Sequence, residues 1–289
     1  MTKLKKRNVK VVAVSMILSV FAVAVGVLQL KPAFANEETK TLQIEGSTTV
    51  GPIADAFAEY FRKHRKAKIS IKKTGSGDGA TALIDGRCKI ATMSRFMKKK
   101  EFKKAVEKGV MPVAHVVAMD GVCVIVNPAN PVKALKMETL RKIYKNEITN
   151  WKQLGGPDLA ITVISRDTAS GTYETFYKIA MKKKKLGSSV EYTKSNTEVF
   201  NRVKSTKGAI GYVGLGYVKD EVKTLDIDGI TPSKKTIAAG SYPISRPLYM
   251  FTNGYPKLGS LAHAFVSFYL SEKGQEIVEA KGFVPVTDY

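Results

Sequence analysis

The chain has 289 residues, of which 47 are Lys or Arg and 25 are Asp or Glu, so its formal charge at pH 7 is +22. An apolar fraction of 44% excludes a disordered polypeptide, and the content of 23 Gly and 2 Cys excludes collagen-like and disulfide-rich proteins. The length is enough for two compact domains.

The amino terminus has the order of segments that is typical of an export signal. The segment up to Lys10 is rich in Lys and Arg, and the 20 residues Val11–Leu30 are mostly apolar. Ala33-Phe34-Ala35 then provides the small residues of a cleavage site. We therefore expect residues 1–35 to be a signal peptide that is cleaved after Ala35, leaving a periplasmic chain with a formal charge of +16. The alternative is that the apolar run is retained as a membrane anchor.

Short strand-like runs alternate with helical segments from Thr41 onward. This alternation predicts an α/β fold. Two prolines in Asn127–Pro131 indicate a boundary after the first set of elements. The predicted strands of this set are Leu42–Ile44, Ile69–Ile71, Lys89–Thr92 and the apolar run Val113–Val126, and its predicted helices are Pro52–Arg65, Ala80–Ile84 and Glu101–Lys108.

A second α/β set follows the boundary, and the chain closes with a long helical segment. The lysine runs Lys98–Lys100 and Lys182–Lys185 are interpreted as solvated helix faces. The predicted elements of the second set are a helix at Met137–Tyr144, a strand at Ile161–Ile164, a helix at Thr172–Met181, the segment Gly208–Val213, a strand at Leu248–Phe251 and the closing helix Leu261–Ala280.

Three loops rich in Gly, Ser and Thr each begin a predicted helix: Gly46–Thr49, Gly75–Gly79 and Ser170–Thr172. Each offers free backbone N–H groups, hydroxyl donors and the positive end of a helix dipole, which together suit an oxyanion. A single loop of this kind is most often only a helix cap or a turn. Three of them in one chain favour an anion site.

Two arginines follow predicted strands and lie close in sequence to hydroxyl side chains. Ser94-Arg95 comes after one strand, and Arg166 comes after another, four residues before Ser170. Ligands of open α/β sheets bind beyond the carboxyl ends of strands, and a guanidinium can hold an oxyanion with two hydrogen bonds. We regard Arg95 and Arg166 as candidate anion ligands, with a surface salt bridge as the alternative for each.

Taken together, these motifs resemble the periplasmic phosphate-binding proteins of bacterial phosphate ABC importers. The resemblance extends over residues 41–289, and the motifs are specific as a set. They are Gly46–Val50, Gly75–Gly77, Ser94-Arg95, Trp151–Gly156, Arg166–Thr172, Gly208–Tyr212, Tyr242–Ile244 and Arg246–Tyr249.

The resemblance implies a type II periplasmic-binding-protein fold with two α/β lobes joined by a hinge of two strands. Lobe 1 would comprise residues 41–122 and 248–289, and lobe 2 would comprise residues 123–247. The crossings would be the apolar run that ends near Val126 and the strand at Leu248. The ligand would lie between the lobes, and a hinge motion would close them around it.

The resemblance also implies a receptor without enzymatic activity and without a cofactor. It would capture inorganic phosphate as a monomer and deliver it to the inner-membrane permease subunits of an ABC importer. The expected phosphate ligands are Ser47, Thr48, Thr49, Ser76, Ser94 and Arg95 from lobe 1, and Arg166, Ser170, Gly171 and Thr172 from lobe 2.

One position departs from the family pattern. Many members have an Asp where this chain has Ser94, and that carboxylate accepts the hydrogen of protonated phosphate while repelling fully ionised sulfate. Asp120 and Asp78 are the candidate replacements for this acceptor. Because the sequence does not decide between them, a receptor for sulfate, molybdate or tungstate is the alternative function.

Other classes of function have less support. Ser170 lacks the G-x-S-x-G context of a hydrolase nucleophile, and Gly75–Gly79 lacks the Lys of a nucleotide-binding loop. The lysines are spread along the chain without an aromatic stacking motif, which argues against nucleic-acid binding. The three histidines are scattered, so no metal site is expected. Cys88 and Cys123 could form a disulfide or could be two buried thiols.

Overall fold

A computed structural model describes residues 41–287 of the chain, so the expected signal peptide lies outside the described residues. Within 41–287 no helix has the length and hydropathy to cross a membrane. The strands are β1 Leu42–Gly46, β2 Ile69–Lys73, β3 Ile90–Met93, β4 Pro112–Val126, β5 Ala134–Leu135, β6 Thr162–Arg166, β7 Glu191–Thr193, β8 Ala209–Gly214, β9 Lys223–Thr224, β10 Asp226–Ile227 and β11 Ser245–Asn253. The helices are α1 Gly51–Arg65, α2 Ser76–Ile84, α3 Lys99–Glu107, α4 Met137–Tyr144, α5 Gly171–Ile179, α6 Asn196–Ser205, α7 Lys234–Ala238, α8 Leu261–Ser267 and α9 Glu272–Ala280, with 3-10 turns at Trp151–Leu154, Leu215–Tyr217 and Phe268–Leu270.

The α/β fold that the alternation predicts is confirmed. One continuous path of paired strands has the order β2-β1-β3-β11-β4-β8-β6-β7, with β9 also paired to β4, and β5 and β10 form a separate pair. At one end of the path β1 is parallel to β2 and β3, and at the other end β6 is parallel to β7 and β8. The sheet therefore contains two groups of parallel strands.

Strands β4 and β11 lie between these two groups. β11 is antiparallel to β3 and to β4, and β4 is antiparallel to β8. The strands β1–β3 consequently run opposite to β6–β8, so the carboxyl ends of the two groups face each other. β4 pairs with β11 as far as Gly121 and with β8 from Val122 onward, which places the change of partner between these two residues.

The hydrophobic core is divided in the same way as the sheet. Ile53, Phe57 and Phe61, four residues apart on α1, pack in a cluster that draws its members from 42–118 and 248–283. Phe176 and Tyr212 stack at 4.1 Å between ring centroids in another cluster, whose buried members come from 122–244 and from position 284. Each group of parallel strands thus carries its own core.

The closing helix differs from the prediction. Instead of one helix over 261–280, α8 ends at Ser267, a 3-10 turn follows, and α9 begins at Glu272. Ser271 has an extended backbone, and its hydroxyl accepts a hydrogen bond from Gly274 N at 3.1 Å. This cap interrupts the helix, while α8 and α9 pack their apolar residues into the same cluster, so periodicity alone does not reveal the break.

Two further expectations are decided by the fold. Cys88 and Cys123 are buried free thiols rather than a disulfide, and burial raises the pKa of Cys88 to about 12. Neither group is therefore suited to thiolate chemistry. The run Lys182–Lys185 is exposed as predicted, but it lies in the turn after α5 and not on a helix.

Candidate functional site

The three Gly/Ser/Thr loops meet where the two groups of parallel strands face each other. The first loop joins β1 to α1, the second joins β2 to α2, and the third joins β6 to α5. Ser94 follows β3 at the same edge as the first two loops. We call the buried hydroxyl residues gathered here the hydroxyl cluster. They are Ser47, Thr48, Thr49, Ser76, Ser94, Ser170 and Thr172, each at most 7% exposed.

Direct contacts join the members of the hydroxyl cluster across the sequence. Thr49 Oγ1 lies 2.9 Å from Thr172 Oγ1, and Ser76 Oγ lies 3.3 Å from Ser94 Oγ. A Cβ added to Gly171 would lie 2.4 Å from Ser76 Oγ and 2.5 Å from Ser94 Oγ. Only glycine at position 171 therefore lets the start of α5 approach the first two loops this closely.

Two serines of the cluster cap the turns in which they lie. Ser47 Oγ accepts hydrogen bonds from the N–H groups two and three residues further on, at 3.1 and 3.3 Å. Ser170 Oγ does the same for the start of α5, at 3.2 Å in both cases. Because the backbone occupies their lone pairs, the hydroxyl hydrogens of both serines are left to donate to another acceptor.

Arg166, at the end of β6, is 1% exposed and lies against the hydroxyl cluster. Its Nη2 donates to Thr48 Oγ1 at 3.2 Å and to Lys194 O at 2.6 Å. Its Nε and Nη1 have no hydrogen-bond partner among the described residues. Burial lowers the pKa of this guanidinium, because water no longer stabilises the charge. The arrangement presents two free donors of a buried cation, which suits an anion.

Arg95 does not join this hydrogen-bonded group. Its Nη1 and Nη2 donate to the two carboxylate oxygens of Glu101 at 2.8 and 2.7 Å, and Nη1 also donates to Phe96 O at 3.0 Å. The side chain is buried by this bidentate pair at the start of α3. The salt-bridge alternative describes the contacts of Arg95 in the structure.

The two candidate acceptors lie in different surroundings. Asp78 is exposed in the first turn of α2, whereas Asp120 is fully buried. Asp120 Oδ1 accepts a hydrogen bond from Leu215 N at 2.8 Å. A Cβ added to Gly214 would lie 2.8 Å from Thr49 Cγ2 and 3.1 Å from Asp120 Oδ2. Asp120 therefore borders the hydroxyl cluster, and burial raises the pKa of its carboxyl group.

Arg246 is a member of the site that residue-level reasoning missed. It lies opposite Asp120 in the register of β4 and β11. Its Nε and Nη2 donate to Asp120 Oδ2 at 3.0 and 2.8 Å, and Nη2 also donates to Thr172 Oγ1 at 3.0 Å. The sequence signal for Arg246 was the Arg246–Tyr249 motif. Sequence spacing does not show that β11 pairs with β4 or that Arg246 contacts α5.

Asn196, the first residue of α6, was also missed. Its Nδ2 donates to Thr48 Oγ1 at 3.1 Å and to Thr49 Oγ1 at 3.0 Å, and its Oδ1 accepts from Gly214 N at 3.1 Å. The local signal was available, because Ser195 followed three residues later by Glu198 has the sequence pattern of a capping box, and Ser195 Oγ accepts from Glu198 N at 3.1 Å. Asn196 is fully buried by its contacts.

The site is therefore rich in hydrogen-bond donors. Hydroxyl groups, N–H groups at the starts of helices and two guanidinium groups converge on one buried region. Over residues 41–287, no group of three or more His, Cys, Asp or Glu side chains is placed to hold a metal ion. Such a set of donors can hold an oxyanion through charge-assisted hydrogen bonds.

Comparisons with known proteins agree with this geometry. The family model of the PBP superfamily domain matches residues 33–273. The phosphate-binding protein PstS of Bacillus subtilis is 36% identical over 251 residues, which is 86% of this chain and 81% of that protein. PstS of Borreliella burgdorferi is 33% identical, over 87% of this chain and 92% of that protein.

Solved structures show the same likeness. A phosphate ABC transporter substrate-binding protein of Clostridium perfringens, whose structure contains bound phosphate, has a TM-score of 0.79 and 33% identity, covering 86% of this chain and all of that one. An ABC-type phosphate transport receptor of Vibrio cholerae has a TM-score of 0.69 and 30% identity, with 84% and 99% covered. The chain therefore belongs to the PBP superfamily and, within it, to the family of the PstS phosphate-binding proteins.

Proposed function

We propose that this chain is an exported receptor that captures inorganic phosphate and delivers it to the permease of an ABC importer. The observation that carries the proposal is Arg166, a buried cation with two free donors that lies against a cluster of hydroxyl groups at the starts of three helices. The names of the Bacillus and Borreliella relatives and the phosphate in the Clostridium structure support the choice of anion.

In this proposal Arg166 donates to phosphate through one of its two free nitrogens, Nε or Nη1, which lie on different edges of the guanidinium, and the helix starts supply the remaining donors. Arg95 is left outside the ligand set because it is paired with Glu101 and, unlike Arg166 and Arg246, has no nitrogen that is buried without a partner among the described residues. The other proposed phosphate ligands are Ser47, Thr48, Thr49, Ser76 and Ser94 from lobe 1, and Ser170, Gly171 and Thr172 from lobe 2.

Asp120 is the proposed acceptor of the phosphate hydrogen. Each carboxylate oxygen has two lone pairs. Oδ2 accepts two hydrogen bonds from Arg246, Oδ1 accepts one from Leu215 N, and the Gly121 N–H also acts on the carboxylate, so these contacts fix the group at the border of the hydroxyl cluster. Asp78 is less suited because it is exposed. A buried acceptor at this place would favour phosphate over sulfate, which has no hydrogen to donate at neutral pH.

The mode of transport follows from the proposed lobes. We assign residues 41–122 and 248–289 to lobe 1 and residues 123–247 to lobe 2, with β4 and β11 as the hinge. The division of the hydrophobic core supports this assignment. Residues 1–35 would direct export and be cleaved after Ala35, and the monomeric receptor would then act in the periplasm. Its formal charge of +16 would speed the capture of anions.

The test is isothermal titration of the purified, ligand-stripped chain with phosphate, sulfate and molybdate at physiological salt. We expect binding of phosphate with a weak or absent response to sulfate and molybdate. Comparable binding of all three would replace the proposal by a general receptor for tetrahedral oxyanions. Absence of phosphate binding by a folded chain would refute the proposed function itself.

A further inference from the structure

Arg246 has an unusual environment for an arginine in a β-strand. It is 5% exposed, and it projects from β11 toward the start of α5 rather than toward solvent. Its guanidinium has three contacts, two with Asp120 Oδ2 and one with Thr172 Oγ1. Its remaining nitrogen, Nη1, is buried without a hydrogen-bond partner among the described residues.

The planar geometry of the Arg246 guanidinium shows which of its edges Asp120 leaves free for another acceptor. Asp120 occupies the edge formed by Nε and Nη2, so the second hydrogen of Nη2 points along the other edge, toward Thr172. Nη1 belongs to that same outer edge, because the group is planar and its donors have a fixed arrangement. The edge that offers a free donor therefore faces Thr172, a member of the hydroxyl cluster.

The charges of the site also indicate a bound anion. Burial lowers the pKa of Arg166, and the nearby positive charge of Arg246 lowers it further. Asp120 compensates only one of the two. Within residues 41–287 the hydrogen bonds of Arg166 go to a hydroxyl and a carbonyl, so one buried positive charge is left over. A buried charge of this kind is costly unless an anion is bound.

We propose that Arg246 is a second guanidinium ligand of the bound oxyanion, donating through Nη1, and that Asp120 is its positioning residue. This inference rests on the proposed function, because it adds a residue to the same site. Arg246 binds the anion together with Thr172, whose hydroxyl it already contacts. The strand β11 thereby contributes directly to the ligand as well as to the hinge.

The experiment compares Arg246→Lys with Arg95→Lys by phosphate titration of the full chain. The two arginines are matched, since both are buried and both pair with a carboxylate. Lysine can keep the ion pair with Asp120 but lacks the outer edge of two nitrogens. We expect Arg246→Lys to weaken phosphate binding about tenfold or more, the effect of losing a hydrogen bond to a charged group. Arg95→Lys should leave the dissociation constant within about twofold.

A second variant distinguishes the loss of a ligand contact from the loss of the fold. The double substitution Asp120→Asn and Arg246→Gln removes both charges together, so that no unpaired buried charge is left. Because Asp120 is itself a proposed phosphate contact, the comparison is with Asp120→Asn alone: the double variant should bind phosphate about tenfold or more weakly than Asp120→Asn, with circular dichroism and melting that show a folded chain. Unchanged affinity in Arg246→Lys, or equal losses in Arg246→Lys and Arg95→Lys, would overturn the inference while the wild-type titration still supports a phosphate receptor. A wild-type chain that binds no phosphate would instead refute the proposed function.

Discussion

Three buried arginines of this chain differ in what compensates their charge. Arg95 is held by Glu101 and Arg246 by Asp120, whereas Arg166 donates only to a hydroxyl and a carbonyl among the described residues. An ion pair explains why Arg95 and Arg246 can be buried. Nothing comparable explains Arg166, and a protein keeps such a charge in place when a ligand supplies the missing partner.

Removal of the Arg166 side chain should therefore affect binding more than folding. We expect Arg166→Ala to weaken phosphate binding by about 1.5 to 3 kcal/mol, because charge-assisted hydrogen bonds to the ligand are lost. In the absence of phosphate, the free energy of unfolding should fall by less than the binding free energy does, or should rise, because a buried unpaired charge disappears. Titration and denaturant unfolding measure the two effects.

The control for this prediction is Arg202→Ala. Arg202 is exposed on α6, where it pairs with Glu191 at 2.7 Å, and surface pairs of this kind contribute little. Its removal should leave phosphate affinity unchanged. If Arg166→Ala bound phosphate as tightly as Arg202→Ala, Arg166 would not be a ligand.

At the scale of elements, the starts of α2 and α5 approach each other closely. Gly77 N donates to Ala169 O at 2.9 Å, and Gly171 lies against Ser76 and Ser94. The two helices thus point their N-termini, which carry partial positive charge, at one region. This approach requires that no side chain stands between the loops.

A methyl group at position 171 tests this requirement. In Gly171→Ala the new Cβ would lie 2.4 Å from Ser76 Oγ, so the start of α5 must move away and the helix donors no longer converge. We expect at least about a tenfold loss of phosphate affinity with the fold retained. In the matched variant Gly77→Ala, the nearest atoms would be 3.5 Å away, an ordinary contact, so titration should show wild-type affinity. Equal affinities of the two variants would contradict this account of α5.

The same elements show which parts of the fold and of the site can be predicted from the sequence. Strand, loop and helix follow one another from Leu42 to Met93 almost as periodicity predicts, because each helix has one apolar face and each loop has its own turn residues. The partners of Arg95 and Arg246 could not be predicted, since both depend on contacts formed in three dimensions. Asn196 could have been found as a helix start, but its contacts with Thr48 and Thr49 depend on how the two strand groups face each other.

At the scale of the whole molecule, several contacts join the two proposed lobes without passing through the hinge. Lys98, the residue immediately before α3, pairs with Glu174 of α5 at 2.9 Å. Thr49 meets Thr172, and Asn196 bonds to both Thr48 and Thr49. Such contacts stabilise the arrangement in which the loops of both lobes surround the site. Affinity for a ligand depends on how much of the protein has this arrangement, because binding must otherwise also drive closure.

Asn196 is the contact whose removal tests this dependence. Asn196→Ala deletes two hydrogen bonds to the first loop and one to Gly214 N, without removing a proposed ligand. We expect phosphate affinity to fall about tenfold, since a smaller fraction of the protein is closed before binding. Asn127→Ala is the matched control, because Asn127 also makes three hydrogen bonds, but all of them lie within the proposed lobe 2. Both variants should lose stability, whereas only Asn196→Ala should bind phosphate more weakly. Equal affinities would mean that contacts between the lobes do not contribute to binding, and that the ligand alone holds them together.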